Sequence, residues 1–416
     1  MTREESLEWT PMEPSAGLLS QLCLHMGVRD VQVEPVSSID RDYMHSQRPV
    51  YGIIVFLHQK ASSTGLLSAH GQSSSSTTAT TIFAPSSSSS PSSSSSPSVY
   101  LHSSSSTYSS RDEYVTNNDR IYFANQVVNN AYAMHALLSI LLNCEIINIG
   151  STLVEYKQFT KDFTPTLKGL SLSNSHALRK SHNQVGRLWP ARSTNKPTYH
   201  YISYVPFEGY LWELDGFKRG PLRLGPCTEN NWLDILQYEL ARKTEGYQKQ
   251  HIPFSVWSLI EDRRKVLQRK LVVKLDNKTR IETQLDELYP EWKLAAVVQR
   301  WEEEYQHAMK NEHNRRGMDV SAQMTMHYHR PVNAISSDDR PNPQQPLDFK
   351  EQIDVWLQAK DEILRLYNGL GKEDEKHQSY KDDNVRRQHN YSPFINAYLE
   401  ALQTHGLLNR LISDSS

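Results

Sequence analysis

Apolar residues at Leu18, Leu19, Leu22, Leu24 and Met26 recur at helical spacing and stop at Gly27, which predicts a helix closed by a glycine. Val31-Gln32-Val33 then reads as a strand, and Val50-Tyr51-Gly52-Ile53-Ile54-Val55-Phe56-Leu57 as another. The longer run is apolar at odd and even positions alike. Both of its faces must therefore be covered, which places it inside a sheet. Ala131 to Cys144 carries strong helix formers with apolar residues at helical spacing and predicts a buried helix. Tyr199 to Val205 and Tyr210 to Leu214 are β-type runs joined by Pro206-Phe207-Glu208-Gly209, a hairpin. Trp232 to Arg242 reads as an amphipathic helix and Phe254 to Ile260 as a further strand.

The pattern fails in two places. From Ser62 to Ser110 the chain is serine, threonine and proline with almost no charge. Such a stretch has too little apolar surface to offset its ordering entropy, so residues 62–112 are expected to form a disordered insertion. Asn311 to Leu347, rich in histidine, asparagine and proline, reads as a linker, and its His327-Tyr328-His329 has no partner ligands near in sequence to make a metal site. Glu261 to Lys274 is basic and helical; the run Arg263-Arg264-Lys265 reads as a solvated helix face. Asp348 to Tyr367 and Ser392 to Ile412 return as amphipathic helices. The expected layout is an α+β domain over residues 7–260, a helical connector over 261–310, a linker over 311–347 and a helical module over 348–416.

Composition narrows the function classes. Lys and Arg total 45 against 47 Asp and Glu, a net charge of -2. That balance supplies no long-range pull toward nucleic acid or anionic lipid. The apolar runs at Val50 to Leu57 and Ala136 to Leu142 are too short to span a bilayer, and charges near Met1 replace the apolar core of a signal peptide. Three scattered cysteines, Cys23, Cys144 and Cys227, form no CxxC pair; they fit a reducing compartment, cytoplasm or nucleus, and no metal or other cofactor is expected.

One constellation carries chemistry. Thiol-peptidase catalysis needs a thiolate at a helix N-terminus, a histidine to activate it, a group to orient that histidine and an oxyanion donor. Gln126 lies shortly before the buried helix, where its amide can face a developing oxyanion. His200 sits on the first strand of the hairpin and Asp215 ends the second, so pairing can bring the two together on one face. The first turn of the helix offers Tyr132.

Phe123-Ala124-Asn125-Gln126 with Asn129-Asn130-Ala131-Tyr132-Ala133 resembles the oxyanion-glutamine and nucleophile motif of ubiquitin C-terminal hydrolases. Tyr199-His200-Tyr201-Ile202-Ser203-Tyr204-Val205-Pro206 is similar to that family's histidine strand, and Leu211-Trp212-Glu213-Leu214-Asp215-Gly216 to its aspartate strand. Glu8-Trp9, Val31-Gln32-Val33-Glu34 and Leu170 to Ser175 match as well. The resemblance implies a papain-like antiparallel sheet flanked by helices, with a crossover loop over the site at Gly186 to Pro197. It implies Gln126 as oxyanion donor, His200 as general base, Asp215 as its orienting partner, and Tyr132 where the family has cysteine. A phenol ionises near pH 10 and is a poor amide nucleophile. Cys144, roughly 18 Å along the same helix at 1.5 Å per residue, is too far away to substitute.

The tail, Asn384-Val385-Arg386-Arg387-Gln388-His389-Asn390-Tyr391-Ser392-Pro393-Phe394-Ile395, resembles the C-terminal extension of the family's long branch. That branch implies a partner-binding role for Arg386, Arg387, His389, Asn390, Tyr391, Pro393 and Phe394, on an adaptor subunit of the proteasome or of a chromatin complex. The absence of a very long central region favours the proteasome type, while Pro49-Val50-Tyr51-Gly52 and His135-Ala136-Leu137-Leu138-Ser139 look equally like the chromatin type. The expected partners are ubiquitin or its conjugates and that adaptor. The expected function is a catalytically impaired ubiquitin-binding protein. The alternatives are an active thiol deubiquitinase, should Tyr132 not be the natural residue, a chromatin-associated histone-deubiquitinase-like adaptor, and a scaffold that binds no ubiquitin.

Overall fold

The computed structural model describes residues 8–59, 120–186, 198–295, 298–303, 306–307 and 348–408. The serine-rich insertion, the linker and its histidines, and nearly all of the expected crossover loop lie outside these. The N-terminal part begins with helix α1 (Ala16–His25), strand β1 (Val31–Pro35), helix α2 (Arg41–Ser46) and strand β2 (Val50–Gln59). A 3-10 turn at Asn129–Ala131 leads into α3 (Tyr132–Leu141), followed by α4 (Gly150–Phe159), α5 (Pro165–Asn174) and α6 (His176–Gly186). Strands β3 (Thr198–Phe207), β4 (Tyr210–Leu214) and β5 (Leu222–Pro226), helix α7 (Trp232–Lys249) and strand β6 (Phe254–Glu261) complete it. The C-terminal half holds α8 (Arg263–Leu288), α9 (Phe349–Gln388) and α10 (Ser392–Thr404).

The six strands form one antiparallel sheet in the order β1-β6-β2-β3-β4-β5. As the unbroken apolar run demands, β2 lies in its interior. Its alternation serves two cores: Ile54 and Phe56 join the cluster built around α1 and α3, whereas Ile53 and Val55 join Leu233, Leu236 and Leu240 of α7 on the opposite face. All ten residues of α3 are buried. A helix wrapped on every side has no polar face to give to water, which is why its run of Ala, Leu, Ile and Met carries no charge.

The β3–β4 hairpin turns at Glu208 (φ 49) and Gly209 (φ 76), two left-handed residues in succession, the backbone twist that a two-residue hairpin prefers. Several elements outrun their sequence signal. Helix α7 continues past Arg242 to Lys249 and α8 past Lys274 to Leu288. Helix α9 does not stop at Tyr367: after a capping box at Asp348 and Glu351 it runs to Gln388, taking Asn384 to Arg387 of the tail motif into its last turn.

The reason is tertiary. Helices α8 and α9 pack as a pair over Leu271, Ile363 and Tyr367 and over Leu285, Ile353 and Trp356. The far half of α9 then reaches α1 and β1, where Lys376 pairs with Glu34 at 2.7 Å and Tyr380 lies over Gly17. Polar stretches with weak periodicity are held helical by these neighbours.

Candidate functional site

The segment before α3 is tied down at Tyr122, Asn125 and Gln126. Asn143, just past the end of α3, exchanges two hydrogen bonds with the Tyr122 backbone, at 2.7 and 2.9 Å. The Asn125 N–H donates to the Pro165 carbonyl at 3.0 Å, and its side chain donates to the Lys218 carbonyl at 2.8 Å. The Gln126 N–H donates to the Gly216 carbonyl at 2.9 Å, which brings Gln126 against the end of the β3–β4 hairpin. Gly216 permits this approach: a Cβ there would stand 2.6 Å from the Tyr201 hydroxyl and 3.1 Å from the Gln126 nitrogen.

Strand pairing supplies the rest. Ser203 faces Leu214 across the hairpin. Continuing that register sets Asp215 opposite Ile202, one diagonal step from His200, and Phe217 opposite His200 itself. The contacts follow. His200 Nε2 lies 3.1 Å from Asp215 Oδ1, with both side chains nearly buried. The Phe217 ring stacks on the imidazole at 4.6 Å and 19°, and the Phe217 N–H donates to Asp215 Oδ1 at 3.0 Å. Burial pushes the Asp215 carboxyl up, but His200, the Phe217 N–H and Lys218 together hold it below the ordinary carboxylate range.

Tyr132 is the first residue of α3 and is 1% exposed. Its ring packs against Phe56 of β2 at 5.9 Å and Tyr199 of β3 at 5.2 Å, so it meets His200's neighbour. Among the described residues no hydrogen bond or ring contact joins Tyr132 to His200. Burial, reinforced by Tyr199, pushes the phenol far above its ordinary value of 10.0; the Met12 backbone opposes this, but the hydroxyl makes no well-formed hydrogen bond. Next to it, the Asn130 side chain donates to the Trp9 carbonyl at 3.0 Å, closing the N-terminal segment over the turn.

Sequence reasoning thus named Gln126, Tyr132, His200 and Asp215, and the fold joins His200 to Asp215 directly and sets Gln126 beside the hairpin end. It missed three features. Phe217 is readable only by extending the hairpin register three pairs past Leu214. Phe56 and Tyr199 as the walls around Tyr132 have no sequence signal. Nor does the capture of the Gln126 amide, whose Nε2 donates to the Asn129 carbonyl at 3.2 Å. Among the described residues Gln126 Oε1, His200 Nδ1 and the Tyr132 hydroxyl are buried without a well-formed hydrogen bond.

The other thiols lie elsewhere. Cys144 falls beyond the end of α3 and Cys227 beyond β5, and burial raises the pKa of each. Among the described residues no group of three or more His, Cys, Asp or Glu side chains is placed to hold a metal. The tail residues Arg386, Arg387, His389, Asn390 and Tyr391 are all exposed, and Pro393 and Phe394 open α10. That helix buries none of its residues and shows Phe394 at 67%, Tyr398 at 56% and Ile395 at 49% exposure, an apolar face against water.

Comparison with known proteins adds the following. The family described as ubiquitin carboxyl-terminal hydrolase, family 1, matches residues 9–245, and a second model, of ubiquitin carboxyl-terminal hydrolases, matches residues 363–408. The chain is 27% identical to ubiquitin carboxyl-terminal hydrolase isozyme L5 of Dictyostelium discoideum, over 98% of this chain and 95% of that one. It is 29% identical to ubiquitin carboxyl-terminal hydrolase calypso of Aedes aegypti, over 97% and 86%. To ubiquitin carboxyl-terminal hydrolase BAP1 of Xenopus tropicalis it is 30% identical, over 66% of this chain and 37% of that one. A crystal structure of Trichinella spiralis UCH37 bound to ubiquitin vinyl methyl ester aligns at 22% identity with a TM-score of 0.44, over 71% of this chain and 97% of that one.

Proposed function

Because this chain belongs to the ubiquitin carboxyl-terminal hydrolase family, with that family's antiparallel sheet and flanking helices, we propose that it binds ubiquitin or ubiquitin conjugates without hydrolysing them. The observation that carries this reading is Tyr132: the residue at the head of α3 is a buried phenol, packed on Phe56 and Tyr199 and held protonated by burial. Nucleophilic attack on an amide needs an ionised, exposed atom beside a base. Tyr132 offers neither ionisation nor a hydrogen bond to His200.

In this reading His200 and Asp215 remain as a general-base pair with nothing to activate. Gln126 keeps its place beside the hairpin, but gives its amide N–H to Asn129 rather than to an oxyanion. Retained polar residues of this kind hold α3, β3 and β4 in register around the cleft. Binding through the cleft is accompanied by docking through the tail. Arg386, Arg387, His389, Asn390, Tyr391, Pro393 and Phe394 form one continuous exposed ledge from the end of α9 into α10, suited to a helical adaptor subunit of the proteasome or of a chromatin complex in cytoplasm or nucleus.

The test is calorimetric titration with ubiquitin, with hydrolysis of a fluorogenic ubiquitin substrate followed in parallel, on the natural protein and on Tyr132→Cys. The natural protein is expected to bind without turnover, and Tyr132→Cys to bind and turn over. Hydrolysis by the natural protein that disappears in His200→Ala would overturn the reading.

A further inference from the structure

The turn that follows Asp215 is held from several directions. The Asn125 side chain donates to the Gly216 carbonyl at 3.3 Å and to the Lys218 carbonyl at 2.8 Å. The Gln126 N–H reaches the same Gly216 carbonyl at 2.9 Å. The Lys218 N–H donates to the Asp215 carbonyl at 2.9 Å, and the Phe217 N–H to the Asp215 carboxylate at 3.0 Å. Gly220 and Pro221, where the turn ends, are buried. Side chains carried on such a mount lose little backbone freedom when they meet a partner.

Three consecutive side chains point outward from it. Phe217 lies flat on His200 at 4.6 Å, yet the residue stays 46% exposed. Lys218 and Arg219 are exposed, and among the described residues neither forms an ion pair. Other surface cations of the same half are paired: Arg41 with Asp234, Arg242 with Glu239, and Lys265 with Asp30, each at 2.7 Å. A single unpaired surface cation is ordinary. Two together, on a rigid turn whose preceding ring covers the site histidine, put positive charge and apolar surface on the rim of the cleft.

A protein joined to ubiquitin at His200 passes this rim within a side chain's length of Phe217. Resting on the proposal that ubiquitin conjugates occupy the cleft, we infer that the Phe217–Lys218–Arg219 turn selects among them, favouring proteins whose modified lysine is flanked by acidic residues. Phe217 offers its exposed surface to the methylene stem of that lysine. Lys218 and Arg219 meet the carboxylates beside it. With a net charge of -2 the whole molecule supplies no such attraction, so the selection is local and weakens as salt screens it.

Calorimetry on the full chain tests this with free ubiquitin and with ubiquitin joined through its C-terminal glycine to the Nε of a lysine in a short peptide. That lysine is flanked by acidic residues in one conjugate and by basic residues in the other. At low salt the acidic conjugate is expected to bind about fivefold tighter, an advantage that shrinks at high salt. Arg219→Glu is expected to remove or reverse the order while leaving free ubiquitin unchanged. Should that variant fail a thermal-melt check of folding, Lys218→Gln, expected to lower the preference about twofold, decides the matter. Equal affinities of the two conjugates for the natural protein overturn the inference and leave ubiquitin binding standing. So does a preference that survives in the folded variants. A change in free-ubiquitin affinity as large as that for the conjugates also overturns it, because the turn then meets ubiquitin itself. Binding of none of the three ligands overturns the ubiquitin-binding proposal and this inference together.

Discussion

At the scale of single residues, the proposed absence of turnover rests on position 132. In that proposal a large phenol, where the family resemblance implies a small, ionisable thiol, acts twice: it supplies no nucleophile and it fills space. The aromatic walls Phe56 and Tyr199 make the second effect part of the core, so Tyr132 contributes to stability. Its hydroxyl, buried without a well-formed hydrogen bond, works against that contribution. Tyr132→Phe is therefore expected to raise unfolding stability by about 1 kcal/mol, measured by urea denaturation, because an unsatisfied polar atom is removed at constant shape. Tyr132→Cys is expected to lose on the order of 3 kcal/mol to the cavity even as it restores turnover. If Tyr132→Phe is instead destabilising, the hydroxyl has a partner that matters. The identity of this residue was plain from the motif around it. Its packing was not, since the two rings that enclose it come from strands 76 residues before and 67 residues after it in sequence.

At the scale of elements, the hairpin was legible because its signals are local. Alternating β-type residues, Glu208-Gly209 at the turn and Asp215 at the strand end fix which residues can face one another, and the His200–Asp215 contact is the result. The placement of Gln126 is a different matter, resting on α5. At Gly169 a Cβ would stand 2.1 Å from the Asn125 carbonyl oxygen and 3.0 Å from the Val127 side chain, so helix and loop approach backbone to backbone at Asn125, one residue before Gln126. Gly169→Ala must push the two apart. It is expected to cost about 1–3 kcal/mol and to weaken ubiquitin binding more than a core substitution of equal cost elsewhere, which parallel denaturation and calorimetry would resolve. Affinity that is unchanged at full destabilisation would remove the α5 contact from the account of the site. Helix α9 illustrates the opposite limit. Its first half announces itself through periodicity and a capping box, and its second half is held by Glu34, Gly17 and the neighbouring α8, none of which the local pattern contains.

At the scale of the whole molecule, the sheet divides two apolar cores and buries ionisable groups in them. His182 Nε2 donates to the Thr10 carbonyl at 2.8 Å and His135 stacks on Tyr201, and both are almost fully buried. Burial pulls His182 from 6.5 down to about 4, against the Thr10 carbonyl, and His135 down to about 3. A histidine whose folded pKa is depressed binds more protons when unfolded. Its contribution is complete above pH 6.5 and is lost as pH falls from there toward the folded value. Each such group costs about 1.4 kcal/mol per pH unit across that window. Urea denaturation is accordingly expected to show stability lower by about 2 kcal/mol at pH 5.5 than at pH 7. The effect is distinct from that of the paired carboxylates Asp215 and Asp262, whose lowered values lie well below this range. A flat profile from pH 7 to 5.5 would mean that both rings stay solvated or open readily.

What could be read without a structure was what local chemistry encodes: the buried strand, the hairpin, the helix that begins at Tyr132, the pairing of His200 with Asp215 and the family. Each of these depends on residues within a turn or a strand pair of one another, or on motifs whose order along the chain is itself the signal. The tertiary structure alone decided where side chains that are distant in sequence come to rest. It set Phe217 on His200, enclosed Tyr132 between β2 and β3, turned the Gln126 amide toward Asn129 and stretched α9 over α1 and β1. The physical reason is that packing is a property of the neighbours a fold brings together. An amide's orientation or a ring's shelter is settled by contacts that the local pattern of apolar and polar residues does not contain.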